Sequence, residues 1–405
     1  MLDLAAIRAD FPILEEEING HRLVYLDNGA SAQKPLKVLE RMDHAYRHEY
    51  ANVHRGLHTL SSRATEAYEG ARERVRGFLG AEREEQIVFT KSTTEAINLV
   101  ASSFAAPRIS EGDEIVLTVA EHHSNIVPWH FLRERQGAKL VWVNVDDDGG
   151  FDAAKFEAAL TGRTKFVAVT HMSNVLGSVA PVKAIVELAH ARGIPVLADG
   201  SQAAVHLPVD VVDLGVDFYA MTGHKLYGPT GIGVLYGRAD RLDEMRPYQG
   251  GGEMIDEVTF DAVTYKEPPH RFEAGTPPIV QAIGLGAALD YMTGLGRDAI
   301  AAHEAEVGAY AQEQLGKINS LRPIGTAPGK GAIFSFAIEG VHAHDLSTIL
   351  DRYGVAIRAG NHCAMPLMRK FGVTSTCRAS FGLYNGKDDV DALIEAIGRA
   401  KAFFE

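Results

Sequence analysis

Lys225 closes an apolar run in "DFYAMTGHKLYGPTGIG" (217–233), between a Gly–His pair and a Gly–Pro turn. A lysine in an apolar, partly desolvated setting has a lowered pKa and becomes a usable amine nucleophile, which is Schiff-base chemistry. A solvated lysine in a strand-end loop is the competing reading. In "VLADGSQA" (196–203) a strand ends in Asp199, with Gln202 three residues on. A carboxylate there aims into the crevice at the C-terminal edge of a parallel sheet, although a turn aspartate or helix cap has the same local sequence. "FTKSTTEAINLV" (89–100) runs through Thr93 and Thr94 into a helix, so hydroxyls and free N–H groups converge as an anion site or as a plain cap. "AEHHSNIVPW" (120–129) puts His122 and His123 after a strand. Adjacent histidines do not share a helix face and no Cys/Asp cluster accompanies them, so zinc is weakly supported. An imidazole stacked on a planar cofactor is the alternative.

Cys363 lies in "RAGNHCAMP" (358–366), a polar loop beside His362 and near Arg358. That setting favours the thiolate. Cys377 sits against an apolar run and fits a buried small hydrophobe. Arg378 beside it offers a planar fork for a carboxylate, or a surface ion pair.

These residues need elements to hold them. Short, continuously apolar runs at 86–90, 113–119, 138–145, 164–173, 194–201, 217–222 and 231–237 read as strands. Helical segments such as 61–81, 94–104 and 181–193 separate several of them. In 61–81, Ala64, Ala67, Tyr68, Ala71, Val75 and Phe78 form one apolar stripe with the arginines facing out. The pattern predicts an α/β fold with a large, mostly parallel seven-stranded sheet over about residues 22–275. A connecting helix at 284–296 leads to a smaller α/β unit with strands at 331–340 and 353–360 and a closing helix at 387–404. Residues 1–21 and 276–405 are assigned to this smaller domain.

The chain has 405 residues, 46% hydrophobic and 23% charged, with a net charge of −13. Its length suggests about two domains at roughly 150 residues each. No basic cluster forms a nucleic-acid face, and no run of apolar residues is long enough to span a membrane. The start, "MLDLAAIRADFPIL", lacks the basic and apolar regions of a signal peptide, and the two cysteines make no disulfide framework. A cytoplasmic protein is expected.

A lysine, a strand-end carboxylate, a phosphate-type turn, a stacking histidine, an arginine and a loop cysteine together suit pyridoxal phosphate, whose protonated ring acts as an electron sink. With "YLDNGASAQKP" (25–35), "NVHRGLHTLS" (52–61), "THMSNVLG" (170–177) and "RFEAGTP" (271–277), the chain resembles the SUF-type (group II) cysteine desulfurases of the class V aminotransferase-like family. The resemblance spans nearly the whole chain and implies a fold-type I pyridoxal phosphate enzyme. It implies that Lys225 bonds the cofactor, Asp199 meets the pyridine nitrogen, Gln202 the phenolic oxygen, and His122 the ring face. Thr93, Thr94, Thr222 and His224 would hold the phosphate, with Thr276 reaching that of a neighbouring subunit in a homodimer. Asn174, Arg378, Arg358, His54 and Arg55 would serve the substrate, L-cysteine. Cys363 would take the sulfur as a persulfide, releasing L-alanine and passing sulfur to a small SUF acceptor protein for iron–sulfur assembly. Selenocysteine lyase on the same site, an aminotransferase, a kynureninase-like hydrolase and a non-catalytic scaffold are the alternatives. Three positions depart from the family pattern: Ser92 for glycine, Thr222 for serine and Asn361 for histidine.

Overall fold

Runs with no polar alternation bury both faces, and here they pair into one sheet. In the computed structural model, which describes residues 2–404, its strands are β1 (Ile87–Thr90), β2 (Glu114–Thr118), β3 (Lys139–Val143), β4 (Thr164–Thr170), β5 (Val196–Asp199), β6 (Phe218–Thr222) and β7 (Gly233–Gly237). Their order is β1-β7-β6-β5-β4-β2-β3. β7 runs antiparallel to both neighbours, and the remaining pairings are parallel. The mixed α/β fold with seven strands is the one expected. Alternate residues feed two cores, as strand geometry requires. Val116, Val167, Val196 and Met221 belong to one core with the helices Thr59–Leu79, Val182–His190 and Ile279–Leu295. Ile115, Leu117, Leu197 and Ala220 pack under Thr93–Leu99 and Val127–Gln136.

The helix expected at 61–81 spans Thr59–Leu79 and ends on Gly80 in the left-handed region. One of its arginines does not face out. Arg72 is buried and donates to Glu273 Oε1 at 2.7 Å and Oε2 at 2.9 Å. Its spacing places it on the core side, and the distant Glu273 makes that position tolerable.

The C-terminal part also combines strands and helices, and it holds two strands, Leu321–Ile324 and Thr376–Ser380, outside the runs expected. Its sheet is antiparallel: β8 (Leu321–Ile324), β9 (Ile333–Ile338), β10 (Arg358–Gly360) and β11 (Thr376–Ser380), in the order β8-β9-β11-β10. The run read as one strand at 353–360 divides between two sheets. Val355–Ala356 pairs in parallel with Val24–Tyr25, and β10 pairs with β11. Helices Arg297–Leu315, Ala343–Asp351 and Lys387–Phe404 cover this sheet through Val307, Leu346 and Leu393. No helix among the described residues is long and apolar enough to cross a membrane.

Candidate active site

A cleft of about 820 Å³ opens where the C-terminal ends of the large sheet's parallel strands meet β11 and the loop after β10. Parallel sheets place ligands at this edge. Lys225, Asp199, Gln202, His122, Thr93, Thr94, Thr222, His224, Asn174, Arg358, Arg378 and Cys363 all line it.

The turn after β6 explains the position of Lys225. Gly223–Lys225 forms one tight helical turn. A Cβ on Gly223 would lie 2.7 Å from Ile232 Cγ2 and 3.1 Å from Pro229 O, so only glycine lets the strand fold back under its own loop. A Cβ on Gly233 would lie 2.5 Å from the Ser92 carbonyl carbon, which brings β7 hard against the loop carrying Thr93 and Thr94. Among the described residues the Lys225 Nζ has no hydrogen-bond partner. Burial lowers its pKa from 10.5 to about 8, offset in part by Asp199 and reinforced by Arg378 and Arg358. A larger fraction of Lys225 is therefore neutral amine at neutral pH than for an ordinary lysine.

Asp199 is buried at the tip of β5, and Ser201 fixes it through its N–H (3.0 Å) and its hydroxyl (2.6 Å), both to Oδ1. Oδ2 has no protein donor among the described residues. The Ser201 hydroxyl also lies 2.9 Å from Thr93 Oγ1 and ties the two strand ends together. Gln202 donates to Gly29 O at 2.7 Å. His122 accepts from the Ser124 N–H at Nδ1, 3.2 Å away. Burial, then Lys225, lowers its pKa to about 3, so the imidazole is neutral and suited to stacking. Beneath it Glu121 accepts from Thr118 Oγ1, the Thr170 N–H and Asn125 Nδ2 and locks the turn.

The loop after β10 carries Cys363, which is exposed. His362 and Cys363 are both left-handed, with φ of 51° and 55°. Asn361 Oδ1 accepts the Cys363 N–H at 3.0 Å and stabilises that conformation. Cys363 O accepts from the His123 N–H at 2.7 Å, and Asn174 Nδ2 donates to His362 O at 2.8 Å. Arg378 is buried on β11; it donates to Asn174 O (2.9 Å) and Asp27 Oδ1 (3.1 Å), while its Nε is buried without a partner. Asp27 also holds Arg358 at 3.2 Å.

Three expected site residues lie elsewhere. Thr276 lines a separate cavity with Tyr68 and Tyr248. His54 binds Glu69 at 2.7 Å, and Arg55 pairs with Glu253 at 2.9 Å. Asp27, Ser201 and Glu121 were missed as site residues. The signal for each was weak: a carboxylate or hydroxyl inside a motif already assigned to neighbours.

The donor set fits pyridoxal phosphate. Thr222 Oγ1 is buried with no partner, at the end where Thr93, Thr94 and His224 supply further polar groups. An unpaired carboxylate oxygen on Asp199 and a neutral imidazole complete the needs of a phosphorylated, protonated ring. The doubly covered sheet with this cleft is that of a fold-type I pyridoxal phosphate enzyme. The model of the "Aminotransferase class-V" family matches residues 24–393, and the chain belongs to that family. It is 52% identical to the cysteine desulfurase of Dickeya dadantii, over 97% of this chain and 95% of that one. It is 49% identical to a probable cysteine desulfurase of Halalkalibacterium halodurans, over 98% of each chain. The crystal structure of the cysteine desulfurase CsdA from Escherichia coli superposes with a TM-score of 0.93 at 41% identity, covering 100% of both chains.

Proposed function

We propose that this pyridoxal phosphate enzyme is a cysteine desulfurase that converts L-cysteine to L-alanine and leaves the sulfur as a persulfide on Cys363. The observation that carries this reading is one cleft holding an exposed thiol, a desolvated lysine and a buried arginine with a free Nε. When bound, the cofactor supplies an aldehyde to capture the substrate amine and a ring to accept the electrons of the Cα–H bond. Lys225 holds the cofactor and then takes the Cα proton, a role its lowered pKa supports. Asp199 would keep a proton on the ring nitrogen, His122 would cover the ring face, Gln202 would meet the phenolic oxygen, and Thr93, Thr94, Thr222 and His224 would hold the phosphate. Arg378 Nε and Asn174 receive the substrate carboxylate, with Arg358 at the rim. The Cys363 thiolate attacks the substrate sulfur; an S–S bond forms and the C–S electron pair returns to Cβ, which takes a proton, and Lys225 gives the proton it removed back to Cα, so the product leaves as L-alanine.

The role extends to sulfur supply for iron–sulfur assembly through a small acceptor protein of the SUF type, in the cytoplasm. A homodimer accounts for Thr276, His54 and Arg55 lying outside the cleft of their own chain. Exposed Leu36, Leu39, Tyr46, Tyr50 and Leu57 near the N-terminus support an interface of this kind. The test is mass spectrometry of the Cys363 peptide after brief exposure to L-cysteine without reductant. One added sulfur with alanine released is expected. Alanine released from an unmodified Cys363 would refute the persulfide.

A further inference from the structure

A third cavity, of about 750 Å³, lies on the far side of the Asn174–Gly177 turn, between β8, β9 and the end of helix Arg297–Leu315. Its walls are Leu315, Leu321, Pro323, Phe334 and Phe336. Lys330 is the charged side chain among its lining residues, and no carboxylate accompanies it. In a chain with 53 acidic residues and a net charge of −13, that is an uncommon place for a lone cation. The Lys330 ammonium reaches one acceptor, Gly325 O at 3.1 Å, and lies 4.6 Å from the centre of the Phe334 ring. Burial lowers its pKa to about 8. A desolvated ammonium with one carbonyl and one ring face retains donors for an anion, and the apolar walls suit a hydrocarbon or aromatic body.

The cavity also touches the catalytic machinery. A Cβ on Gly177 would lie 3.3 Å from Lys330 Cε and 2.8 Å from Gly331 O. The Gly331 N–H donates to Gly177 O at 2.9 Å, and Ser335 Oγ, from the cavity wall, donates to Val175 O at 2.7 Å. Both contacts fall on the turn that begins with Asn174, and Ser335 pairs across the sheet with Arg378.

We propose that this cavity is a binding site for a small monocarboxylate with an apolar or aromatic body, held by Lys330, and that its occupancy shifts the Asn174–Gly177 turn. The binding stands independently of the desulfurase assignment; the effect on turnover rests on it. The probe is 4-fluorobenzoate added to the holoenzyme and followed by ¹⁹F NMR. Saturable binding is expected, weakened at least ~10-fold in Lys330→Met, which keeps the side chain's length without its charge. Equal binding by both proteins would place the probe elsewhere, Arg378 included, and overturn the site. No saturable binding by the wild type would overturn it as well. Thermal melting of Lys330→Met is expected to match or exceed the wild type, so lost binding is separable from lost folding. At saturating probe the KM for L-cysteine is expected to change in the wild type and not in Lys330→Met; binding with an unchanged KM would refute the coupling alone.

Discussion

Replacing Lys225 by methionine is expected to stabilise the cofactor-free protein near neutral pH. Burial holds the folded Lys225 at about 8 against 10.5, and unfolding restores the ordinary value. Below about pH 8 both states carry the proton, and the folded state bears the full cost of the desolvated ammonium. Between about 8 and 10.5 the unfolded chain binds a proton that the folded chain has released, so stability rises with pH across that window. Above it the cost is gone. At ~1.36 kcal/mol per pH unit the cost approaches ~3 kcal/mol; the part of the side chain open to the cleft reduces it to about 2–3 kcal/mol. Methionine keeps the stem and its packing while removing the charge. The assay is urea unfolding of both cofactor-free proteins near pH 7 and again near pH 10.5. The variant should be more stable by that amount at the lower pH, with the difference closing at the higher. Lys34 and Lys330 are also lowered to about 8, but both proteins contain them and they cancel. A methionine variant no more stable at neutral pH, or an advantage that does not shrink with pH, would refute the desolvation argument.

Asn361→Ala removes the acceptor of the Cys363 N–H and leaves a left-handed cysteine unsupported. At ~1 kcal/mol for the bond, persulfide formation on Cys363 should slow about 5-fold with the cofactor's absorbance unchanged, followed by quenched peptide mass spectrometry. Arg72→Met leaves the buried Glu273 carboxylate without its cation; a loss of about 3–5 kcal/mol is expected in urea unfolding. Gly233→Ala drives a Cβ into the Ser92 backbone, 2.5 Å away. The strain should cost about 1–3 kcal/mol and weaken pyridoxal phosphate binding at least tenfold, measured by fluorescence titration of the cofactor-free protein.

The large sheet was legible because all its strands but the edge strand β3 are almost wholly buried, so apolar residues run on with little interruption, and the distinctive residues Asp199 and Lys225 lie at or just after two strand ends. The same punctuation exposed Lys225, Asp199 and Cys363. The smaller sheet was harder to read. β8 is "LRPI", a partly exposed edge strand with a proline and an arginine, and edge strands tolerate both. β11 is "TCRAS", fully buried yet carrying Arg378 at its centre. A buried charge in a strand becomes intelligible only once Asp27 and the Asn174 carbonyl arrive from distant parts of the chain. Arg72 was misplaced for the same reason: its partner Glu273 is 201 positions away. Partnerships of this range have no local pattern, whereas helix stripes and strand ends do.

The Cys363 loop is tethered by main-chain atoms. Its carbonyl accepts the His123 N–H, the Met365 N–H meets His123 Nε2 at 3.2 Å, and Asn174 holds the carbonyl just before it. A thiol moored on both sides swings about its own side-chain bonds and little further. Under the proposed function, sulfur held on Cys363 would not be ferried outward on a long arm; it would wait at the mouth of the cleft, where the thiol is exposed, and whatever collects it would have to come to that point.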